Sequence, residues 1–238
     1  MKVPLGHWSA LSVLFQQQGT LVVDKPFMLS SEQRDPRGES VLTLVQEEYP
    51  SAQLPHRLDR VTCGVLVVAT DREALALHNA AIASGDWGPK IYVARLKSTA
   101  TVEIGPRKAF LRRKARKAEV VRSGGKPSFL EVLFSSRVSR DCVDVVIRLQ
   151  TGRYHQIRAM MANEGMPVLH DTLYGGGEPS ERPSLCHAAL RLPNRILTRE
   201  EDEERLVVES SFVRDFFSEE ASGFLKSYIA SEAFLLNQ

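Results

Sequence analysis

Residues 56–70, HRLDRVTCGVLVVAT, form the stretch that decides the fold. Its second half, 64–70, is an apolar and β-branched run, which predicts a buried strand. Asp59 stands in the loop before this strand, between Arg57 and Arg60, and loops anchored by a rigid sheet often hold functional groups. We expect the neighbouring arginines to keep Asp59 ionised, and an ionised carboxylate can act as a nucleophile or stabilise a developing cation. The alternative is a structural Asp–Arg pair that closes the loop.

The segment after this strand, DREALALHNAAIASG at 71–85, predicts a helix that begins after the N-cap Asp71 and ends at Gly85. Strands and helices do not alternate regularly along the chain. We therefore expect an α+β fold with a mixed, mainly antiparallel central sheet and flanking helices. The other predicted strands are 20–26, 90–96, 129–136, 142–149, 184–192 and 205–212, with 129–136 and 142–149 as a hairpin; the other predicted helices are 39–50, 153–164 and the tail from 213.

The composition is that of an ordinary globular protein: of 238 residues, 43% are hydrophobic and 25% are charged. No linker or repeat interrupts the chain, so we expect a single domain over 1–238, with 1–19 as an N-terminal extension. The three cysteines are odd in number and far apart, which argues against a disulfide framework and a zinc ribbon. No stretch has the length of a membrane span, and the N-terminus lacks a secretory signal. We expect a cytoplasmic monomer that does not bind a membrane.

The positive charge of the chain is concentrated in residues 107–126, RKAFLRRKARKAEVVRSGGK. This basic segment holds nine Lys or Arg and one Glu, a net charge of +8, so the rest of the chain is −6 within the total of +2. Such a block is typical of phosphate neutralisation in nucleic-acid binding, although a solvated basic loop is the alternative. The acidic run 199–206 is expected to lie away from a polyanion. The candidate nucleic-acid-binding residues here are Arg112, Arg113, Lys114, Arg116 and Lys117.

Residues 151–165, TGRYHQIRAMMANEG, predict a helix with an apolar face toward the core and a basic N-terminal end. Arg153, His155 and Arg158 fall near the helix N-terminus, where the macrodipole favours an anion such as a phosphate or a carboxylate. The alternative is an amphipathic helix with a solvated basic end. The three apolar residues expected to face the core are Ile157, Met160 and Met161.

Tyr92, in the strand KIYVARL, shares a strand face with Lys90. These two residues are expected to line a pocket in which the tyrosine ring stacks on a base; ordinary packing of the ring is the alternative. The histidines of the chain show no metal-ligand spacing, so we expect no metal site.

Five stretches, taken in order from about residue 20 to 193, resemble the RluA family of RNA pseudouridine synthases. HRLDRVTCGVLVVAT and TGRYHQIRAMMANEGMPVLHDTLYGGG are the two long and specific motifs, and LVVDKP, KIYVARL and SLCHAALRLP are the shorter ones. The chain departs from the family patterns at several positions, although none of these departures falls on a residue to which the resemblance assigns chemistry. They are Cys63, Thr70, Ala159, Met160, His170 and Cys186.

The resemblance implies the pseudouridine synthase fold with a basic catalytic cleft, no N-terminal S4-like domain, and isomerisation of uridine to pseudouridine in structured RNA, rRNA or tRNA. It implies no cofactor and no metal. Asp59 is implied as the catalytic aspartate, Tyr92 as the residue that stacks on the base and handles protons, and Arg158 as the arginine that pairs with the aspartate. Arg57 matches a family arginine that helps to extrude the target nucleotide or fills its place. Two alternatives stay open: an RNA-binding protein that does not isomerise, and a metal-dependent hydrolase built on the histidines.

Overall fold

The computed structural model describes residues 11–32, 38–193, 196 and 205–231. In chain order its elements are β1 Ser12–Gln17, β2 Thr20–Lys25, α1 Val41–Gln46, β3 Cys63–Ala69, α2 Arg72–Ser84, β4 Lys90–Lys97, β5 Gly105–Lys114, β6 Lys117–Val120, β7 Lys126–Ser139, β8 Cys142–Leu149, α3 Gln156–Asn163, β9 Leu185–Pro193, β10 Arg205–Glu209, α4 Phe212–Phe216 and α5 Glu219–Ile229.

Two compact units make up the described chain. The first comprises the described residues of Met1–Gly88 and of His187–Ser211, and the second comprises Pro89–Cys186 and Phe212–Ser231. The single catalytic domain expected from the sequence stays a prediction.

The first unit is built around the buried strands β2 and β3. Both are fully buried, and β3 is the buried strand that the continuous run at 64–70 predicts, whereas half of the residues of β2 are polar. β2 pairs antiparallel with β1 and with β3, the part of β9 from His187 onward lies beside β3, and β10 pairs antiparallel with β9. The core of this unit brings together side chains from β2, β3, α2 and β9, among them Val22, Val65, Ala81 and Leu190, with Trp87 from the segment after α2.

The second unit is an antiparallel arrangement in the order β4-β8-β7-β5-β6. The helices α3, α4 and α5 belong to the same unit. α5 lies against the long strand β7, where the rings of Phe134 and Phe224 stack with centroids 4.8 Å apart. At the start of α5 the backbone N–H of Ser218 donates to Asp144 in β8, which ties the helix to the sheet.

The fold class predicted from the sequence is confirmed: the sheet is mixed and mainly antiparallel, with a few helices. The predicted strands at 20–26, 64–70, 90–96, 129–136 and 142–149 are all present, and the last two form the predicted hairpin. The helix predicted at 153–164 begins later, at Gln156, so Arg153 and His155 lie in the preceding loop. The acidic run 199–206 lies largely outside the described residues. No helix in the described part of the chain is long and apolar enough to cross a membrane.

Candidate active site

The loop that carries Asp59, in the first unit, is clamped by backbone hydrogen bonds on both sides of the carboxylate. The buried hydroxyl of Ser31 donates to the carbonyl of Leu58 at 2.8 Å and accepts from the Leu58 amide at 3.0 Å. On the other side, the Met28 amide donates to the carbonyl of Arg60 at 2.9 Å, and the Thr62 amide donates to the carbonyl of Asp59 at 3.0 Å. Asp59 itself is only partly buried. The sequence therefore places a partly exposed carboxylate on a backbone that is fixed before any substrate binds.

The two arginines beside Asp59 in the sequence bind other partners. Nη1 of Arg57 lies 2.5 Å from Oε1 of Glu32, and both side chains of this pair are substantially exposed. Nε of Arg60 donates to the carbonyl of Met28 at 3.0 Å. The contacts described for Arg57 and Arg60 thus lead to the 28–32 segment, and the expectation that these arginines keep Asp59 ionised stays a prediction.

His56, which opens the same motif, has a structural role. Its Nε2 accepts a hydrogen bond from the amide of Val67 in β3 at 3.0 Å. Its ring packs edge-on against Trp87 at 5.1 Å and against His187 at 5.8 Å. His56 therefore anchors the Asp59 loop to the strand that follows it. Among the described residues, no group of three or more His, Cys, Asp or Glu side chains is arranged to hold a metal ion.

Tyr92 lies in β4 of the second unit, opposite Ile147 of β8, and its side chain is 7% exposed. Lys90 stands two residues earlier on the same strand and is partly buried. Burial lowers the pKa of the Lys90 ammonium below its ordinary value, because a low-polarity surrounding disfavours the charged form. The stacking role implied for Tyr92 stays a prediction.

Arg158, in α3, is held by a carboxylate that the sequence analysis did not assign. Its Nε and Nη2 donate to Oδ2 and Oδ1 of Asp171 at 2.6 and 3.0 Å, a bidentate pair whose side chains are 6% and 4% exposed. The guanidinium carbon also lies 5.1 Å from the ring centroid of Tyr174. A planar guanidinium bound through two of its nitrogens is fixed in orientation, which is the property that a residue needs to position another group. The pairing of Arg158 with Asp59 stays a prediction.

Asp171 is itself built into a tight turn. Its carbonyl accepts from the amides of Tyr174 and Gly176, and its Oδ1 accepts from the amide of Leu173. A Cβ at Gly176 would lie 1.9 Å from the carbonyl oxygen of Val168, so only glycine fits there. This turn belongs to the second long motif, HDTLYGGG, which is the signal by which Asp171 can be found in the sequence.

The loop before α3 carries Tyr154 and His155, which pack with Tyr174 next to the basic segment. His155 adopts a left-handed backbone conformation with φ 51°, and its Nδ1 lies 3.1 Å from the hydroxyl of Tyr174. The Tyr154 ring stacks on His155 with centroids 3.8 Å apart. The Tyr174 hydroxyl accepts from the amide of Ala118 in β6 at 2.7 Å, which ties this loop to the strand of the basic hairpin.

Two departures from the family patterns make contacts that stabilise the local backbone. Thr70 donates through its amide and its hydroxyl to the carbonyl of Gly19, at 2.8 and 3.1 Å. His170, where the family pattern has glycine, adopts a left-handed φ of 62°, and its Nδ1 lies 2.8 Å from the carbonyl of Glu178. The fold thus accommodates both substitutions.

The architecture is similar to that of solved pseudouridine synthases. The structure of human RNA Pseudouridylate Synthase Domain Containing 1 superposes with a TM-score of 0.72 at 21% identity, over 97% of this chain and 98% of that one. Human RNA Pseudouridylate Synthase Domain Containing 4 gives 0.64 at 18% identity, over 90% and 92%. The fold is therefore that of an RNA pseudouridylate synthase domain.

Sequence comparison extends this similarity from fold to family. The family model described as RNA pseudouridylate synthase matches residues 19–163. The Dual-specificity RNA pseudouridine synthase RluA of Escherichia coli O6:H1 is 32% identical over 180 residues, which cover 71% of this chain and 78% of that protein. The Ribosomal large subunit pseudouridine synthase D of Xanthomonas campestris is 31% identical over 180 residues, which cover 70% of this chain and 52% of that protein. The chain belongs to the RNA pseudouridine synthase family and is an isomerase of the RluA type.

Proposed function

We propose that this enzyme converts specific uridines to pseudouridine in structured rRNA or tRNA, with Asp59 as the catalytic carboxylate. The observation that carries the proposal is the backbone clamp around Asp59, which holds a partly exposed carboxylate at the start of a buried strand. The names of the relatives, a dual-specificity RNA enzyme and a large-subunit ribosomal enzyme, support this class of substrate.

The reaction breaks the N1–C1′ bond of uridine, turns the uracil and joins C5 to C1′, so no atom is gained or lost overall. The target nucleotide has to leave the helical stack before this chemistry can occur, because C1′ and C5 are inaccessible inside a duplex. Asp59 acts in its ionised form by one of two routes. It attacks C1′ directly, or it stabilises cationic character there and takes a ribose proton.

The partner residues divide the remaining tasks. Tyr92 stacks on the detached uracil so that it stays in place, and it assists removal of the C5 proton, directly or through water. Arg158, oriented by the buried pair with Asp171, fixes the position of the catalytic carboxylate. No step requires a cofactor. The residues proposed to contact RNA are Arg57, Arg60, Lys90, Arg112, Arg113, Lys114, Arg116, Lys117, Arg153 and His155.

The test is a map of pseudouridines in RNA from a strain that lacks the gene, before and after incubation with the purified enzyme. Carbodiimide modification followed by primer extension is expected to reveal new stops at one or a few uridines in rRNA or tRNA. RNA that binds the protein but shows no new stop would instead support an RNA-binding protein on the same scaffold. Loss of turnover on chelation would support a metal-dependent enzyme.

A further inference from the structure

The second unit contains a cavity of about 360 Å³ between the basic hairpin β5–β6 and the loop before α3. Its volume lies within the range of small-ligand pockets, roughly 300–1,000 Å³. The cavity lining includes none of Asp59, Tyr92 or Arg158, so it is separate from the residues assigned to the reaction. The polar groups that line it are Arg112, Arg113, Lys126, Arg153 and Tyr154.

Four cations and no acid line this cavity, within the described residues. The one carboxylate of the basic segment, Glu119, lies 3.4 Å from the ammonium of Lys114, which is outside the lining. The structure therefore divides the basic segment into charges that face the cavity and charges that do not. Clustering of cations around a concave site favours an anionic ligand, although Arg112 lies directly opposite Glu119 in the β5–β6 pairing.

The arginines of the cavity are oriented by contacts that leave most of their donors available. Nε of Arg113 donates to the carbonyl of Ala115, and its guanidinium carbon lies 4.5 Å from the centroid of the Tyr154 ring. Nε of Arg153 donates to the carbonyl of Pro127 at 3.2 Å. In the described part of the chain the Nη groups of both arginines donate to no protein atom, and such fixed forks match the oxygens of a phosphate.

Two glycines leave room for a ligand to approach the backbone. A Cβ at Gly124 or at Gly152 would meet nothing within 4 Å, and both residues line the cavity. The Tyr154 ring stacks on His155 and lies against the guanidinium of Arg113, so it supports the cations. Cations beside an open backbone are a combination that suits a phosphodiester.

We propose that this cavity binds a phosphodiester of the substrate RNA at a nucleotide other than the uridine that is isomerised. The proposal rests on the proposed function for the identity of the RNA, but not on the assignment of Asp59. The cavity contact fixes the register of the RNA on the enzyme without reading its sequence, as phosphate contacts generally do.

The test compares two variants that remove the cavity contact by different means. Gly152→Leu fills the open space and keeps every charge, and Arg112→Gln/Arg153→Gln removes two cations and keeps the space. Binding of a fluorescein-labelled RNA stem-loop is followed by anisotropy at several salt concentrations with the full chain. Both variants are expected to lose about tenfold in affinity at 100 mM salt. The slope of log K against log salt is expected to become shallower by about 0.7–0.9 for the one phosphate lost.

The matched control, Lys108→Gln/Arg122→Gln, removes two exposed cations of the same basic segment that do not line the cavity. It is expected to stay within about threefold of the wild-type affinity. Wild-type affinity in Gly152→Leu, or an equal loss in the control, would overturn the cavity assignment. Turnover of the wild-type enzyme is measured separately. A protein that binds through the cavity but never isomerises would refute only the proposed function, and an active enzyme with unaffected cavity variants would refute only this inference.

Discussion

Replacing Asp171 by Asn is expected to destabilise the protein and to disable the isomerisation more than the loss of folded protein explains. The change keeps the size of the side chain but removes the charge that binds the buried guanidinium of Arg158 through two hydrogen bonds of 2.6 and 3.0 Å. One of the two arginine N–H groups then faces an amide N–H instead of an oxygen. The remaining cation is left in a site where it is only 6% exposed.

Breaking a buried ion pair by removing one partner costs about 3–5 kcal/mol. For a protein of this size, each kcal/mol of lost stability lowers the thermal midpoint by about 2–4 °C, so a loss of about 3 kcal/mol is expected to lower it by about 6–12 °C. Differential scanning fluorimetry measures this shift. Turnover is then measured well below the new midpoint, where the variant is folded, so that any further loss reports the orientation of Arg158.

The control is Glu164→Gln, which makes the same chemical change in the more exposed pair of Glu164 with Arg107, at 3.3 Å and with side chains 28% and 18% exposed. Solvent screening limits its cost to about 1 kcal/mol or less. If Asp171→Asn unfolds within about 2 °C of the wild type, or no lower than Glu164→Gln, the reasoning about the buried pair is wrong.

Further predictions concern packing and pH. Gly176→Ala is expected to lower the unfolding free energy, measured by urea titration, by at least about 3 kcal/mol, because the new Cβ would lie 1.9 Å from the Val168 carbonyl oxygen. The control Gly223→Ala in α5 has open space around the new Cβ, so its unfolding free energy should be unchanged or higher. Burial lowers the pKa of His78 from 6.5 to about 4, so between these pH values the unfolded chain binds a proton that the folded chain does not. The unfolding free energy should therefore fall by roughly 3 kcal/mol as the pH is lowered from 7 to 4. His78→Gln should make the unfolding free energy from urea titrations depend less on pH in this range. An unchanged pH dependence in His78→Gln would contradict the role of His78.

The parts of the fold that could be predicted from the sequence carry strong local signals. α2 was predicted almost to the residue, because Asp71 accepts from the Ala74 amide as an N-cap and Gly85 ends the helix with φ 82°. β3 is equally clear, since a short apolar and β-branched run is typical of a buried strand, and all seven residues of β3 are buried. In such segments local preference and tertiary burial favour the same structure.

In β1, β5 and β6, which the sequence does not predict, local preference and tertiary burial do not agree in this way. The sequence predicts only an N-terminal extension where β1 lies, although the two-residue turn Gln18–Gly19, with φ 47° and 77°, is a typical hairpin connection to β2. The composition of the basic segment indicates a charge block, yet the segment forms the hairpin β5–β6, in which exposure alternates along the first part of β5 but not over 112–114. Charged residues make up half of this segment, and they hide the period of two that marks a strand.

Some features of the site could likewise be predicted from the sequence, and others are visible only in the structure. Asp59 and Arg158 lie within recognisable motifs, whereas the partnership of Arg158 with Asp171 joins positions thirteen residues apart through a turn that no periodicity reveals. The cavity near Arg112 and Arg153 joins a hairpin to a loop about forty residues further along the chain, so only the folded structure shows it.

The most direct measurement of the central claim is the turnover of Asp59→Asn on an RNA that the wild-type enzyme modifies, with RNA binding measured on the same samples. Turnover is expected to fall by about a thousandfold or more, as on removal of a catalytic nucleophile, while RNA affinity and the thermal midpoint stay close to wild type. Asp141→Asn, at an exposed turn of the β7–β8 hairpin, is the matched control and is expected to remain active. Turnover of Asp59→Asn within tenfold of the wild type would contradict the assignment of Asp59.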